Sequence, residues 1–135
     1  MIKILLSGCN GKMGQVITRK AEKYDDLAII AGYDMADAGR NPYPVFTDLE
    51  RCTIMPDVLV DFSNPAALET LLAFAVTRKI PAVIATTGLS QVQTRLLGKA
   101  TESIPVFYSA NMSLGINLLI GLVKKAARLL QADFD

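Results

Sequence analysis

The sequence predicts an α/β protein built on a doubly wound parallel sheet with helices on both faces. Apolar strand patterns alternate with amphipathic helical patterns along the chain, which is typical of this fold class. The strands are apolar on nearly every residue, as at 58–62, which indicates that both faces of the sheet are covered. Glycine or small polar residues follow each long strand, and folds of this class bind ligands at the carboxyl ends of their strands.

The first unit is a strand, a glycine-rich turn and a helix. Residues 2–6 are mostly apolar, and Gly8, Gly11 and Gly14 follow with the spacing G-x-x-G-x-x-G. A helical stripe then begins, formed by Met13, Val16, Ile17, Ala21 and Tyr24. Such a turn lets backbone N–H groups approach a pyrophosphate at the positive end of a helix. A tight turn that binds nothing explains the glycines equally well, so the rest of the chain must decide.

The remaining elements follow from the same patterns. In chain order they are a strand at 27–33, a polar and mobile loop at 35–43, a short strand at 45–46, a helical turn at 48–52, a strand at 58–62, a helix from 65, a strand at 82–85, a helix from 91, a strand at 104–108 and a helix at about 114–131. Asn64 before Pro65 suits a helix start, and Ser90 with Gln93 predicts a capping box. The last helix is apolar nearly all round until Lys124, so we expect it to be buried by more than the sheet.

Composition excludes several classes of function. A chain of 135 residues is long enough for one domain with a core, and a net charge of +1 does not favour nucleic acid or an anionic membrane. No signal peptide or membrane span is predicted, and Cys9 and Cys52 lack metal-ligand spacing, so free thiols in a reducing cytoplasm are expected. The chain contains no histidine, so acid–base chemistry must use other groups or come from elsewhere.

The carboxyl end of the second strand gives the sharpest functional hypothesis. Asp34 lies 20 residues after Gly14, where a carboxylate can accept hydrogen bonds from a ribose diol and repel a 2′-phosphate. The alternative is a solvated carboxylate at the start of a loop. Lys12 suits either a point charge on a pyrophosphate or a solvated lysine in the first helical turn. Together with the glycines, Asp34 favours a dinucleotide site.

Residues after the later strands extend this site. Thr86 and Thr87 are either ordinary strand residues or donors of hydroxyl and backbone N–H groups to a ligand, and Gly88 favours the second interpretation. Asn111 is either a helix cap or a partner for a nicotinamide carboxamide. Asp61 within an apolar strand fits a cap or a core hydrogen bond, and packing suits Cys9 better than nucleophilic attack because no base is near in sequence.

Four stretches resemble one enzyme family. They are 8–14 (GCNGKMG), 60–63 (VDFS), 85–88 (ATTG) and 109–117 (SANMSLGIN). In this order they resemble 4-hydroxy-tetrahydrodipicolinate reductase (dihydrodipicolinate reductase) of bacterial lysine and diaminopimelate synthesis, over essentially the whole chain. The last two stretches are much more specific than the glycine triplet. The resemblance implies a Rossmann-like cofactor domain and hydride transfer from NADH or NADPH to a cyclic imine-type substrate, with loss of water.

The resemblance also implies a role for individual residues. The pyrophosphate would be held by Gly8, Cys9, Asn10, Gly11, Lys12 and Met13, and the adenosine ribose by Asp34. The nicotinamide half would be contacted by Ala85, Thr86 and Thr87, with Thr87 nearest the substrate. The carboxamide would be contacted, largely through backbone groups, by Ser109, Ala110, Asn111 and Met112.

Two departures from the family pattern shape what we expect of this chain. Family members often carry a basic residue after the ribose acid, but here the position is Met35, so NADH is the preferred cofactor unless Lys12 or Arg40 reaches a 2′-phosphate. The family's second domain carries a histidine pair, a lysine, a Ser-Gly-Thr substrate clamp and the sheet of a homotetramer, and none of these is present. We therefore expect residues 1–135 to form a dinucleotide-binding domain with no catalytic residues of its own and no metal site.

Two alternatives stay open from the sequence alone. One is the cofactor domain of another two-domain dehydrogenase of the aspartate, homoserine or sugar type, although these usually lack the Thr-Thr-Gly and Asn-Met-Ser-x-Gly combination. The other is a non-enzymatic module that senses NADH and couples it to a partner protein, which the absence of histidine and the apolar last helix allow.

Overall fold

The computed structural model describes residues 1–130. Its strands are β1 (Ile2–Ser7), β2 (Leu27–Tyr33), β3 (Val45–Phe46), β4 (Val58–Asp61), β5 (Ala82–Ile84) and β6 (Val106–Tyr108). Its α-helices are α1 (Lys12–Ala21), α2 (Leu68–Arg78), α3 (Gln91–Ala100) and α4 (Leu114–Leu130), and short 3₁₀ turns span Leu49–Arg51 and Pro65–Ala67. The predicted order of strands and helices is confirmed, with strand ends that differ by one or two residues.

The sheet has six strands in the order β3-β2-β1-β4-β5-β6, and every pair is parallel. The chain runs outward in one direction from β1 to β3 and in the other from β4 to β6. The point where the direction changes lies between β1 and β4, and in open sheets of this type the crevice at that point binds ligands. There Ser7 of β1 is paired with Tyr33 on one side and Asp61 on the other.

Helices cover both faces of the sheet, as predicted. On one face α2 and α3 pack against each other and bury Leu5, Leu59 and Ile84, each with no exposed surface. On the opposite face Ile17 of α1 packs against a smaller cluster that includes Leu6. Alternate residues of each strand therefore face different helices, which explains why both sets are apolar.

Local capping follows the sequence signals. Ser90 accepts a hydrogen bond from Gln93 N–H at 3.2 Å, and the Gln93 side chain accepts one from Ser90 N–H at 3.0 Å, so the predicted capping box is present. Asn64 accepts from Ala66 N–H at 2.9 Å and so caps the 3₁₀ turn that leads into α2. Two of the sheet-covering helices thus begin where side-chain chemistry favours it.

The last helix differs from its prediction. We expected α4 to be buried, but among the described residues its large apolar side chains are 41–86% exposed. Its composition indicates side chains that favour an apolar neighbour, and residues 1–130 do not provide one. Phe107 of β6 is also 60% exposed, so the end of the sheet next to α4 is open as well. The predicted helix end at Gln131 lies outside the described residues.

None of the helices described between residues 1 and 130 is long and apolar enough to cross a lipid bilayer.

Candidate functional site

The glycine turn connects β1 to α1 at the point where the strand order changes. Gly8 has a φ of +74°, a conformation that side chains rarely adopt, and a Cβ there would lie 2.8 Å from the backbone of Phe62. A Cβ at Gly14 would clash with the carbonyl oxygen of Gly8 and lie 2.6 Å from Cys9 Cα. Both glycines are required by close backbone approach, and this brings the first turn of α1 against the strand end.

The start of α1 presents free donors to this turn. Gly11 is the N-cap residue, and no side chain caps the helix. Lys12 and Met13 are exposed at the first two helical positions, and the first N–H groups of a helix have no acceptor within the helix itself. The N-terminal end of α1 can therefore bind an anion through its backbone N–H groups, which is one of the two interpretations of the glycine spacing.

Asp34 lies directly beside the glycine turn. Its Oδ2 accepts from the backbone N–H of Asn10 at 2.9 Å, and its Oδ1 accepts from Met35 N–H at 2.8 Å. The Asp34 N–H in turn donates to Phe46 at the end of β3. The carboxylate is half-buried and oriented by two backbone donors, with lone pairs left for further donors. The structure thus brings two predicted parts of the site, the turn and the acid, into contact.

The loop that follows Asp34 is tied to the turn by side-chain amides. Asn10 donates through Nδ2 to the carbonyl of Ala36 at 2.6 Å and accepts from Asn41 Nδ2 at 2.8 Å. Gln15 on α1 donates to Asn41 Oδ1 at 2.9 Å, and Tyr43 shares a 2.6 Å hydrogen bond with Thr18. These contacts do not fit the mobile loop that the sequence predicted at 35–43, because two hydrogen bonds tie it to Asn10 in the glycine turn and two tie it to α1.

A cavity of about 210 Å³ opens beside Asp34, between the ends of β1, β2 and β4. Its lining residues are Ser7, Gly8, Tyr33, Asp34, Met35, Ser63, Asn64, Ala66 and Ala67. The hydroxyl of Ser7 is fully buried there and has no hydrogen-bond partner in the described chain. The sequence-based list of site residues missed Ser7 and the β4 side of this cavity. Both belong to the site because β1 and β4 are neighbours in the sheet. The order of the strands in the sheet shows this, whereas their order along the sequence does not.

A larger cavity, of about 590 Å³, lies elsewhere, between the turn at Leu49–Arg51 and α2. It contains none of the predicted site residues, and its walls combine Asp48, Glu50 and Glu69 with Arg78. We place the functional site at the smaller cavity because the glycine turn, Asp34 and the strand ends converge there.

The two threonines that follow β5 differ in exposure: the side chain of Thr86 is buried and that of Thr87 is exposed. Thr86 is 2% exposed, and its hydroxyl donates to Asp61 Oδ2 at 2.5 Å. The prediction that the Thr86 hydroxyl serves a ligand was therefore wrong, because that hydroxyl is used within the protein. Thr87 is exposed, and Ala85 donates its N–H to the carbonyl of Asp61. Asp61 makes the core hydrogen bonds that were one of its two expected roles.

The residues after β6 form a capped turn before α4. Asn111 Oδ1 accepts from Ser113 N–H at 2.8 Å, and Ser109 Oγ donates to the Asn111 carbonyl at 3.0 Å. Asn111 therefore orders the turn before α4 and is not the helix cap, because Ser113 precedes Leu114 and accepts from Ile116 N–H at 3.4 Å. Ala110, Asn111 and Met112 remain exposed. These residues lie at the same edge of the sheet as Thr87, since Ser109 N–H donates to Ile84 at the end of β5.

Cys9 is a packing residue. Its side chain has no exposed surface and lies with Leu6 and Tyr43 in the cluster under α1. Burial, together with the negative charge of Asp34, raises the pKa of the Cys9 thiol to about 11. A thiol with this pKa stays protonated near neutral pH and is a poor nucleophile, so only its backbone faces the site.

Comparison with protein-family models matches residues 2–112 to the N-terminus of dihydrodipicolinate reductase. The chain belongs to this family. The matched region begins with β1 and ends at Met112, two residues before α4. The glycine turn, Asp34 and all six strand ends therefore lie within the matched region.

Curated relatives share the full length of the chain. The 4-hydroxy-tetrahydrodipicolinate reductase of Clostridium tetani is 39% identical, and that of Caldanaerobacter subterraneus subsp. tengcongensis is 45% identical. Each alignment covers 100% of this chain and 53% of the relative. The chain thus spans about half the length of the curated relatives it matches.

Solved structures agree with the family. A dipicolinate-bound dihydrodipicolinate reductase from Paenisporosarcina sp. TG-14 matches with a TM-score of 0.80 and 26% identity, over 94% of this chain and 54% of that one. Myo-inositol 2-dehydrogenase from Lactobacillus plantarum matches with a TM-score of 0.67 and 11% identity, over 92% of this chain and 41% of that one. The second likeness shows the fold alone.

Proposed function

We propose that this chain is the cofactor-binding half of an NADH-preferring 4-hydroxy-tetrahydrodipicolinate reductase that acts in lysine and diaminopimelate synthesis. The observation that carries the proposal is the Asn10–Asp34 hydrogen bond, which joins the glycine turn to the ribose acid in a chain of this family. The family membership supplies the reaction, and the geometry supplies a reason for assigning the cofactor to this half.

The residues present fit a nicotinamide dinucleotide. The lack of room for a Cβ at Gly8 and Gly14 holds the start of α1 close against the end of β1. The first N–H groups of α1 are uncapped by any side chain and can bind a pyrophosphate there. Ser7 borders the cavity beside Asp34, and its fully buried hydroxyl has no hydrogen-bond partner among the described residues. Asp34 offers acceptors to a ribose diol from the rim of the same cavity.

Each part of the site has a distinct task in this proposal. The turn from Gly8 to Met13 binds the pyrophosphate, and Asp34 holds the adenosine ribose. Thr87 and the backbone of Ala85 and Thr86 contact the nicotinamide half, with Thr87 nearest the substrate. Ser109, Ala110, Asn111 and Met112 contact the carboxamide. When bound, the dinucleotide supplies the hydride, and these residues bind and orient it.

The preference for NADH rests on the charge around the adenosine ribose. The carboxylate of Asp34 repels a 2′-phosphate, and the next residue, Met35, is 89% exposed and uncharged. Lys12 and Arg40 are exposed cations that offer some compensation to NADPH. We therefore expect NADH to bind more tightly than NADPH, and not to the exclusion of NADPH.

The catalytic groups, in this proposal, lie outside residues 1–135. No histidine is present, and the family's histidine pair and lysine belong to its second domain. The homotetramer that the resemblance implies and the cytoplasmic location expected from the free cysteines are part of the same proposal. None of the contacts described above favours another dehydrogenase or a non-enzymatic NADH sensor over this function.

A titration tests the proposal. The 135-residue protein is titrated with NADH and with NADPH by cofactor fluorescence, and turnover is then measured with 4-hydroxy-tetrahydrodipicolinate. We expect binding of both cofactors, a lower Kd for NADH, and little or no turnover. Absence of dinucleotide binding would refute the proposed site, equal or tighter NADPH binding would refute the preference, and full turnover would refute the assignment of catalysis to the second domain.

A further inference from the structure

Asp61 is a fully buried carboxylate in the middle of the carboxyl edge of the sheet. It has no exposed surface, and it lies between Ser7 of β1 and Ile84 of β5 in the strand pairing. No ion pair reaches it among residues 1–130. A buried carboxylate of this kind is costly unless hydrogen bonds satisfy it.

Three donors satisfy the two oxygens, and they come from different loops. Oδ1 accepts from the N–H of Ser63 at 3.0 Å and from its hydroxyl at 2.6 Å. Oδ2 accepts from the hydroxyl of Thr86 at 2.5 Å. Because one side chain accepts from both loops, it fixes them relative to each other.

The two loops serve different ends of the proposed site. Ser63 follows β4 and lines the cavity beside Asp34. Thr86 follows β5 and directly precedes Thr87, the exposed residue assigned to the nicotinamide half and the substrate. A single carboxylate therefore joins the adenosine side of the site to the nicotinamide side.

The carboxylate accepts from all three of these groups. Replacement of Asp61 by asparagine would keep one oxygen for the backbone N–H of Ser63, which can only donate, and turn the NH₂ group toward Thr86. The hydrogen bond to the Thr86 hydroxyl would then be reversed, with hardly any change in side-chain volume. The backbone bonds between β4 and β5, such as Ala85 N–H to the Asp61 carbonyl, do not depend on the carboxylate.

We propose that Asp61 is a positioning residue that sets the distance between the adenosine-side and nicotinamide-side loops and so adjusts both halves of the cofactor site without touching the cofactor. This inference rests on the proposed dinucleotide function. It predicts that each oxygen controls one half: Oδ1 acts through Ser63 and Oδ2 through Thr86. If these hydrogen bonds had only a structural role, their loss would lower the stability of the fold and leave the relative affinity of the two halves of the site unchanged.

The test separates the halves by their ligands. The Kd of NADH reports both halves, the Kd of ADP-ribose reports the adenosine half, and the ratio of the two isolates the nicotinamide contribution. Thr86→Val removes the buried Thr86 hydroxyl and keeps the shape, Ser63→Ala removes the half-buried Ser63 hydroxyl, and Asp61→Asn keeps an acceptor for Ser63 but reverses the hydrogen bond to Thr86. Asp57→Asn is the matched control, because Asp57 caps the opposite end of β4 through Lys3 N–H and makes the same change of charge.

The inference predicts how each variant changes the Kd of NADH and the Kd of ADP-ribose. Thr86→Val should raise the Kd of NADH by about three- to tenfold, a change of about 1 kcal/mol, and leave the Kd of ADP-ribose within about twofold. Ser63→Ala should raise both constants together, and Asp61→Asn should raise the Kd of NADH more than the Kd of ADP-ribose, as Thr86→Val does. Asp57→Asn should match the wild-type protein.

Other outcomes would contradict either the proposed function or the positioning role of Asp61. If wild-type protein binds neither ligand, the proposed function fails, and the positioning role of Asp61 fails with it. If wild-type protein binds NADH and Thr86→Val lowers the melting temperature while both constants stay unchanged, the positioning role alone fails. If Asp61→Asn does not fold, Thr86→Val and Ser63→Ala still decide, because each leaves the charge of Asp61 and one of its partners in place.

Discussion

The backbone N–H of Asn10 donates to Asp34 Oδ2 over 2.9 Å, so the glycine turn and the acid that follows β2 form one unit. The two residues are 24 positions apart in sequence and belong to loops that leave different strands. The bond orients the carboxylate before any ligand arrives. A site with preset donors and acceptors loses less entropy on binding than one that must be ordered by its ligand.

Replacement of Asp34 by asparagine should weaken NADH binding more than NADPH binding. Asp34→Asn removes the charge that strengthens hydrogen bonds to the ribose, and we expect the Kd of NADH to rise by roughly tenfold. The same change removes the repulsion of a 2′-phosphate, so the ratio of the NADPH constant to the NADH constant should fall. Parallel fluorescence titrations with both cofactors measure this ratio.

Asp37→Asn is the matched control for this change. Asp37 lies in the same loop, is exposed, and accepts only a local hydrogen bond from Gly39 N–H. This variant makes the same change of charge, and its cofactor ratio should stay at the wild-type value. An equal shift in both variants would mean that net charge, and not the position of Asp34, sets the preference.

Alanine at Gly14 should destabilise the fold, whereas alanine at Gly98 should stabilise it. The Cβ at Gly14 would clash with the Gly8 carbonyl, and overpacking of this kind costs about 1–3 kcal/mol. Gly98 lies within α3 with open space around a Cβ, so alanine there adds about 1 kcal/mol through helix propensity. Urea denaturation gives the free energy of unfolding of each variant, which should be lower than the wild-type value for Gly14→Ala and higher for Gly98→Ala.

Loss of the Asn41 side chain should release the loop that carries Asp34. Asn41 joins Asn10 to Gln15, so Asn41→Ala removes these two hydrogen bonds, each worth about 1 kcal/mol, and a weaker 3.7 Å contact to Cys9 Sγ. We expect a severalfold higher Kd for ADP-ribose and faster trypsin cleavage after Arg40. Asn117→Ala is the control, because its amide bonds only to Ser113 and Asn111 within the start of α4. Unchanged cleavage after Arg40 in Asn41→Ala would contradict the tying role.

Sequence patterns predicted the fold because each strand and helix follows from local chemistry. The alternation of apolar residues, the Ser90–Gln93 capping box and the glycine turn are all visible within a few neighbouring positions. The carboxyl-end placement of Asp34 and Thr87 follows from parallel strands alone. These features needed no knowledge of which strands are neighbours.

Contacts between distant loops could not be predicted in the same way. The inward direction of the Thr86 hydroxyl depends on the pairing of β4 with β5, and the cavity wall at Ser63 depends on the pairing of β1 with β4. The tied loop depends on amides from α1 and the turn. The exposure of α4 shows a further limit, because apolar composition indicates that a helix favours a neighbour and does not say which chain segment provides it.

The buried thiol of Cys9 should make the protein less stable as the pH rises above about 9. Its pKa is raised from 9.0 to about 11 in the folded state, by burial first and by Asp34 second. The unfolded state therefore releases its proton at lower pH than the folded state, so the stabilisation is complete below the unfolded pKa and is lost as the pH approaches the folded one. By about pH 10 the loss should be about 1 kcal/mol, and Tyr43, whose pKa burial also raises, adds to it in the same direction.

Urea denaturation at about pH 8 and about pH 10 measures this loss. Cys9→Ala removes the thiol and should lose less stability between the two pH values than the wild-type protein, while the contribution of Tyr43 remains. If Cys9→Ala loses as much stability as the wild-type protein, the thiol of Cys9 is not the group whose ionisation weakens the fold.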